Sequence, residues 1–220
     1  MAARFCRATI RRLTGADEGH PKELAAAGNA HRKVKQAGYG PVVQLAAEQL
    51  EAFRRWALGN LVENRNRGLF AEWLVGTALG VAGKERLEWD EADLRYQGRL
   101  IEVKASGRGQ AWPQDKPSTP TFDIRQRTRS WNAQTDTVEE FDPPRRVADL
   151  YVFCLHQSYP ATNSNVADLS EWEFWVVSTN TIDAELGNQK TIGLTRLEQL
   201  TDSVAWAELS ESIDRSFTAE

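Results

Sequence analysis

The chain has little cysteine, little histidine and no long hydrophobic run, and each shortage removes a class of protein. Its two cysteines among 220 residues, Cys6 and Cys154, lie far apart, so no disulfide framework follows and a reducing, cytoplasmic setting is expected. The three histidines, His20, His31 and His156, are scattered, and no Cys or His spacing suits a zinc site. No apolar run approaches the roughly 18 residues that a membrane span requires. The basic stretch with Arg4, Arg7, Arg11 and Arg12 lacks the apolar segment of a secretory signal and reads as disorder or as an arm touching nucleic acid. Internal repeats, a P-loop and a Gly-rich dinucleotide motif are also missing.

What is present divides by charge. Residues 1–67 hold twelve Lys/Arg against six Asp/Glu, 68–160 hold twelve against fourteen, and 161–220 hold three against eleven. The net charge of −4 therefore conceals a basic first third, and overall acidity says little against contact with DNA.

The length suffices for one full core plus an appendage. The expected organisation is a flexible basic arm over 1–40, a core domain over 41–192 that includes a helix near 42–58, and a C-terminal helical segment over 193–220 packed on the core. Val43, Ala46, Ala47, Leu50, Phe53 and Ala57 recur at helical spacing and are expected to pack on that core. Leu194, Leu197, Leu200, Val204, Leu209 and Ile213 repeat similarly, with Thr195 and Glu198 as a possible capping box. Two near-continuous apolar runs, 148–155 and 172–177, read as strands buried on both faces of a central sheet. Pro113, Pro117 and Pro120, then Asp142-Pro143-Pro144, mark an irregular region between them and the segment before.

Residues 93–104, D-L-R-Y-Q-G-R-L-I-E-V-K, carry the most information. Leu94, Tyr96, Ile101, Val103 and Ala105 alternate with polar residues, and Gln97-Gly98 suits a two-residue hairpin turn. With that turn Tyr96 faces Arg99, and Asp93 lies directly opposite Glu102. Like charges so paired destabilise a sheet, so a cation should sit between them. Lys104, on the same face as Glu102, supplies one, and a divalent metal held by hard oxygen ligands would supply more. Surface ion pairs within a solvated hairpin are the competing reading.

This D…ExK arrangement resembles the PD-(D/E)xK nuclease superfamily, over roughly residues 65–180 and through Glu72, Asp93, Glu102 and Lys104, with Ala92 where a proline usually precedes the aspartate. The resemblance implies a restriction-endonuclease-like α/β core, a central mixed sheet flanked by helices, with a helical N-terminal extension. It implies Mg²⁺, with Mn²⁺ able to substitute, held by Asp93, Glu102 and the Val103 carbonyl. Lys104 would act on the attacking water or the developing phosphate charge; beside two carboxylates and a metal it is expected to keep its proton, which favours the electrostatic role. Glu72 is the only charge after Arg67 on an apolar helical segment over 66–80, closed by Gly80, and needs a partner: the metal site, or an arginine such as Arg67 or Arg95.

After the motif, Lys104, Arg108, Lys116, Arg125, Arg127 and Arg129 stand against only Asp115 and Asp123. Arg125, Arg127 and Arg129 alternate, so an extended backbone would aim all three to one side, with Trp112, Phe122 and Trp131 interleaved. Such a patch suits phosphate contact, with Gln110 and Gln114 as polar contacts near the scissile phosphate. The expected activity is Mg²⁺-dependent endonucleolytic cleavage of DNA in restriction or defence against foreign DNA, by a possible homodimer. The alternatives are a catalytically inactive DNA-binding or complex subunit, and an accidental motif match in a soluble α/β protein.

Overall fold

Gln97 and Gly98 both adopt positive φ, 50° and 78°, the conformation that a tight two-residue hairpin turn demands. They join β1 (Leu94–Tyr96) to β2 (Arg99–Gly107), and the register Leu94↔Ile101, Arg95↔Leu100, Tyr96↔Arg99 is the one that the sequence pattern predicts. The computed structural model describes residues 45–83 and 85–218, all within one unit, Leu45–Glu220. The expected basic arm over 1–40 lies outside the described residues.

Two helices precede the hairpin, α1 (Ala47–Leu58) and α2 (Asn64–Ala78), and Gly80, at φ 70°, ends the second. After β2 come β3 (Thr121–Asp123), the ribbon of β4 (Arg127–Asn132) and β5 (Thr137–Arg145), then β6 (Leu150–His156). The chain finishes through α3 (Asn163–Val166), β7 (Trp172–Ser178), α4 (Thr179–Leu186), β8 (Thr191–Gly193), α5 (Leu194–Glu198) and α6 (Leu209–Thr218).

The central sheet runs β1-β2-β6-β7 and is mixed: β2 and β6 are parallel, the other pairs antiparallel. The two apolar runs become β6 and β7, buried as a parallel-type sheet interior requires. On one face Ile101, Val103, Val152 and Phe174 pack against α2 and α6 through Leu74, Val75 and Ile213. On the other, Phe153, Leu155 and Trp175 pack against Phe122, Ile182 and Leu197 from β3, α4 and α5. From the C-terminal segment, Leu209 and Ile213 join the first of these clusters and Leu197 the second. No helix among the described residues is long and apolar enough to cross a membrane.

Three expectations change. α1 forms, but none of its residues is buried, and Phe53 and Trp56 are exposed, so it does not pack on the core as expected; periodicity defines an apolar face without saying what covers it. The capping box at Thr195 does not form, because β8 runs directly into α5 with Gly193 at its N-terminus. The stretch read as irregular contains the β4–β5 ribbon, whose register slips between Arg127 and Arg129, so that Arg127 faces Arg145 while Arg129 faces Glu140. The extra residues of β5 include Pro143 and Pro144, which a bulged strand in a two-stranded ribbon tolerates and a central strand would not.

Candidate active site

The site forms where β1 stops and β2 continues. The next rung of the hairpin would pair Asp93 with Glu102; instead of extending the ladder, Asp93 turns its carboxylate so that Oδ2 accepts the Val103 N–H at 2.7 Å. In an extended strand a residue's N–H and C=O lie on one edge, so the Val103 carbonyl faces the same gap.

Glu102 follows Leu100 on the β3, α4 and α5 face and is only 3% exposed. Its Oε1 accepts from Lys104 Nζ at 2.5 Å and from Arg127 Nη2 at 2.6 Å. Glu72 reaches the gap from α2, buried, with both oxygens accepting from Arg86 Nε at 2.8 Å. Its arginine partner is therefore neither Arg67 nor Arg95.

The three carboxylates share one electrostatic neighbourhood. Burial, and after it the charge of Glu102, pushes the Asp93 carboxyl above its ordinary range, with Lys104 pulling the other way. Burial also pushes Glu72 up; Arg86 opposes this, while Asp93 and Glu102 add to it. The Tyr151 phenol, whose residue is paired in register with Glu102, is pushed up by burial and then by the Glu102 charge.

Asp93, Glu102 and the Val103 carbonyl offer the hard oxygens that Mg²⁺ takes, and a dication would relieve the repulsion that raises Asp93. These residues fit such an ion. Among the described residues no group of three carboxylate, His or Cys side chains gathers as a metal cage. Mg²⁺ does not demand one, since it commonly uses one or two carboxylates and keeps several waters. Loading would require Lys104 and Arg127 to share or yield Glu102.

The basic run after the motif does not form the single row that alternation suggests. Arg125 is outside β4 and pairs with Asp123 at 2.7 Å. Arg127 turns inward to Glu102 and also donates to the Glu91 carbonyl at 3.1 Å. Arg129 is exposed on the ribbon. Arg108 donates from Nε to Gln157 Oε1 at 2.6 Å.

Gln110 and Gln114 shape the loop from which they were expected to reach DNA. Gln110 donates to the Gly107 carbonyl and accepts from Arg67 Nη2 at 2.9 Å, while Gln114 Oε1 accepts the Gln110 N–H at 2.6 Å. Arg67, buried, also donates to the Gly109 carbonyl, and a Cβ on Gly107 would lie 2.4 Å from its Nη1, so a side chain there would displace the guanidinium. Phe122 is core, whereas Trp112 and Trp131 are exposed.

Arg86 and Tyr151 were not among the residues that the sequence singled out, and Arg127, singled out for DNA, is engaged by Glu102. Nothing periodic marks Arg86 in the irregular stretch before β1, and Tyr151 is adjacent to Glu102 only through the parallel register.

Neither a protein-family model nor a curated protein matches this sequence.

Proposed function

We propose that this chain is a metal-dependent nuclease that hydrolyses phosphodiester bonds in DNA. The observation that carries the proposal is the end of the hairpin, where Asp93 and Glu102 meet with Lys104 on Glu102 and with the Asp93 carboxyl raised by burial and by its neighbour's charge. A structural ion pair would be expected to lower that carboxyl. Mg²⁺, with Mn²⁺ as substitute, is the proposed cofactor, bound by Asp93, Glu102 and the Val103 carbonyl; when bound it would polarise the phosphate and acidify water. Lys104 holds a positive charge where negative charge develops on the phosphate. Glu72, fixed by Arg86, orients groups around Asp93. The resemblance to PD-(D/E)xK nucleases suggests a role in restriction or defence, and cutting both strands of a duplex would call for a homodimer.

A second reading, a catalytically silent DNA-binding or complex subunit, is favoured by one observation: each of Glu102 and Glu72 already has a cationic partner. Incubation with supercoiled, linear, single-stranded and methylated DNA in Mg²⁺, Mn²⁺ and EDTA separates them. Metal-dependent nicking that Glu102→Gln abolishes supports the nuclease. DNA affinity without cleavage in any metal supports the second reading.

A further inference from the structure

A cleft of about 530 Å³ opens beside the candidate site, lined by Asp93, Arg127, Arg129, Trp89 and Trp131 among others. Its size lies within the roughly 300–1,000 Å³ of sites that enclose small ligands. Two features set it apart from an ordinary surface groove. First, Trp89 is 76% exposed and Trp131 37% exposed, although tryptophan is normally well buried. Second, the lining joins these rings to two arginines and to the carboxylate proposed to act at the scissile phosphate.

The walls are held in place. Asp90 pairs with Arg95 at 3.0 Å and accepts the Ala133 N–H from the ribbon turn, and Asn132 donates to Glu91 at 3.0 Å. Trp131 Nε1 donates to Asp136 at 3.0 Å, leaving the ring faces unengaged by that bond. The acids Glu88 and Asp90 also line the cleft; Arg95 pairs with both Asp90 and Glu91, and the cleft's own cations, Arg127 and Arg129, come from the ribbon side.

We propose that this cleft takes an unpaired nucleotide of the DNA strand to be cut, its base against Trp89 and Trp131 and its phosphate at Arg129. The inference rests on the nuclease reading for its link to cleavage and deepens it by naming the substrate class. Base pairs inside a duplex turn their π-faces to one another and offer none to a side chain, whereas every unpaired base offers one. Exposed indoles next to arginines are what such a base and its phosphate need. The preferred substrate is therefore single-stranded, flapped or locally opened DNA.

The test uses the full chain in EDTA, so that binding is read without cleavage. A labelled short oligothymidylate and a labelled hairpin duplex are titrated by anisotropy, with tryptophan emission followed in parallel. The wild type is expected to bind the oligothymidylate with quenching. Trp89→Ala and Trp131→Ala should each weaken that binding by about 5- to 100-fold, with duplex affinity unchanged and with Trp131→Phe retaining most of the affinity. Both side chains are exposed, so thermal midpoints should stay near wild type.

No oligothymidylate binding by the wild type, unaltered affinity in both alanine variants, or an equal loss on single strand and duplex would each overturn the proposal. Cleavage in Mg²⁺ is scored separately. A nuclease whose tryptophan variants bind normally refutes the cleft alone, and selective loss of single-strand binding in a protein that never cleaves refutes the nuclease alone.

Discussion

Asp93→Asn tests whether the carboxylate pair serves folding or chemistry, because the two purposes predict opposite signs. The substitution is nearly isosteric, and the asparagine carbonyl can still accept the Val103 N–H that Oδ2 takes at 2.7 Å, so chiefly the charge is lost. Glu102 is the charge that raises Asp93, and like unit charges about 4–6 Å apart repel by about 3–4 kcal/mol at an effective dielectric near 20. Lys104 and Arg86 offset part of this, leaving about 1 kcal/mol of net relief. In a chain of this size that corresponds to a rise of about 2–4 °C in Tm in the absence of metal.

The pH dependence has a definite sign. The folded Asp93 carboxyl lies above its ordinary value of 3.8, so its charged form opposes folding at neutral pH. The advantage of Asp93→Asn should be full above the raised folded value, shrink as pH falls through it, and vanish below 3.8. Scanning calorimetry in EDTA from neutral to acid pH, repeated in excess Mg²⁺, measures both effects. Added metal should stabilise the wild type and not the variant. A metal-free variant that melts several degrees below wild type would show that the carboxylate is there for folding, and the metal-site reading would go with it.

Glu102→Gln should abolish cleavage in Mg²⁺ and Mn²⁺ while circular dichroism and hydrodynamic size stay native. Arg127→Ala removes one of the two cations on Glu102 Oε1, so the metal-free protein should lose a degree or two in Tm while the Mn²⁺ midpoint in a calorimetric titration moves to lower concentration. Arg129→Ala should lower the slope of log DNA affinity against log salt by about 0.9 on duplex, whereas Arg125→Ala, whose guanidinium is paired with Asp123, should change it less. Burial, and then the charge of Arg67, holds the His156 imidazole below its usual 6.5, outweighing Glu171. Its contribution is therefore complete above pH 6.5 and lost as pH falls below it, and His156→Leu should flatten the denaturant-derived stability profile between about pH 7 and pH 5.

The parts of the site legible in the sequence are those fixed by local rules. Strand alternation and the Gln97-Gly98 turn determine which residues face one another, so the register followed from twelve residues. Glu72 was visible as a lone charge on an apolar helix, but its partner was not, since Arg86 lies on a segment with no period to read. The ribbon was hidden because Pro143 and Pro144 sit inside β5 and its register slip breaks the period of two. The same slip undid the reading of Arg125, Arg127 and Arg129 as one row. Gln110 and Gln114 illustrate another blind spot: in a loop, polar side chains often complete backbone hydrogen bonds, and composition alone does not distinguish that use from ligand contact.

The equal number of acids and bases at the hairpin end does not by itself favour a structural network. Asp93, Glu102 and Glu72 face Lys104, Arg127 and Arg86, yet the pairing is uneven: Oε1 of Glu102 takes two cations and Glu72 holds Arg86 with both oxygens, while the hydrogen bond Asp93 receives comes from a neutral backbone N–H. A network selected for stability would place a cation against the carboxylate that most needs one. Glu72 is raised as well but holds Arg86 with both oxygens, whereas Asp93, raised by burial and by Glu102, accepts from the Val103 N–H. On the proposed nuclease reading, an exchangeable dication rather than a fixed guanidinium would supply the charge that Asp93 lacks.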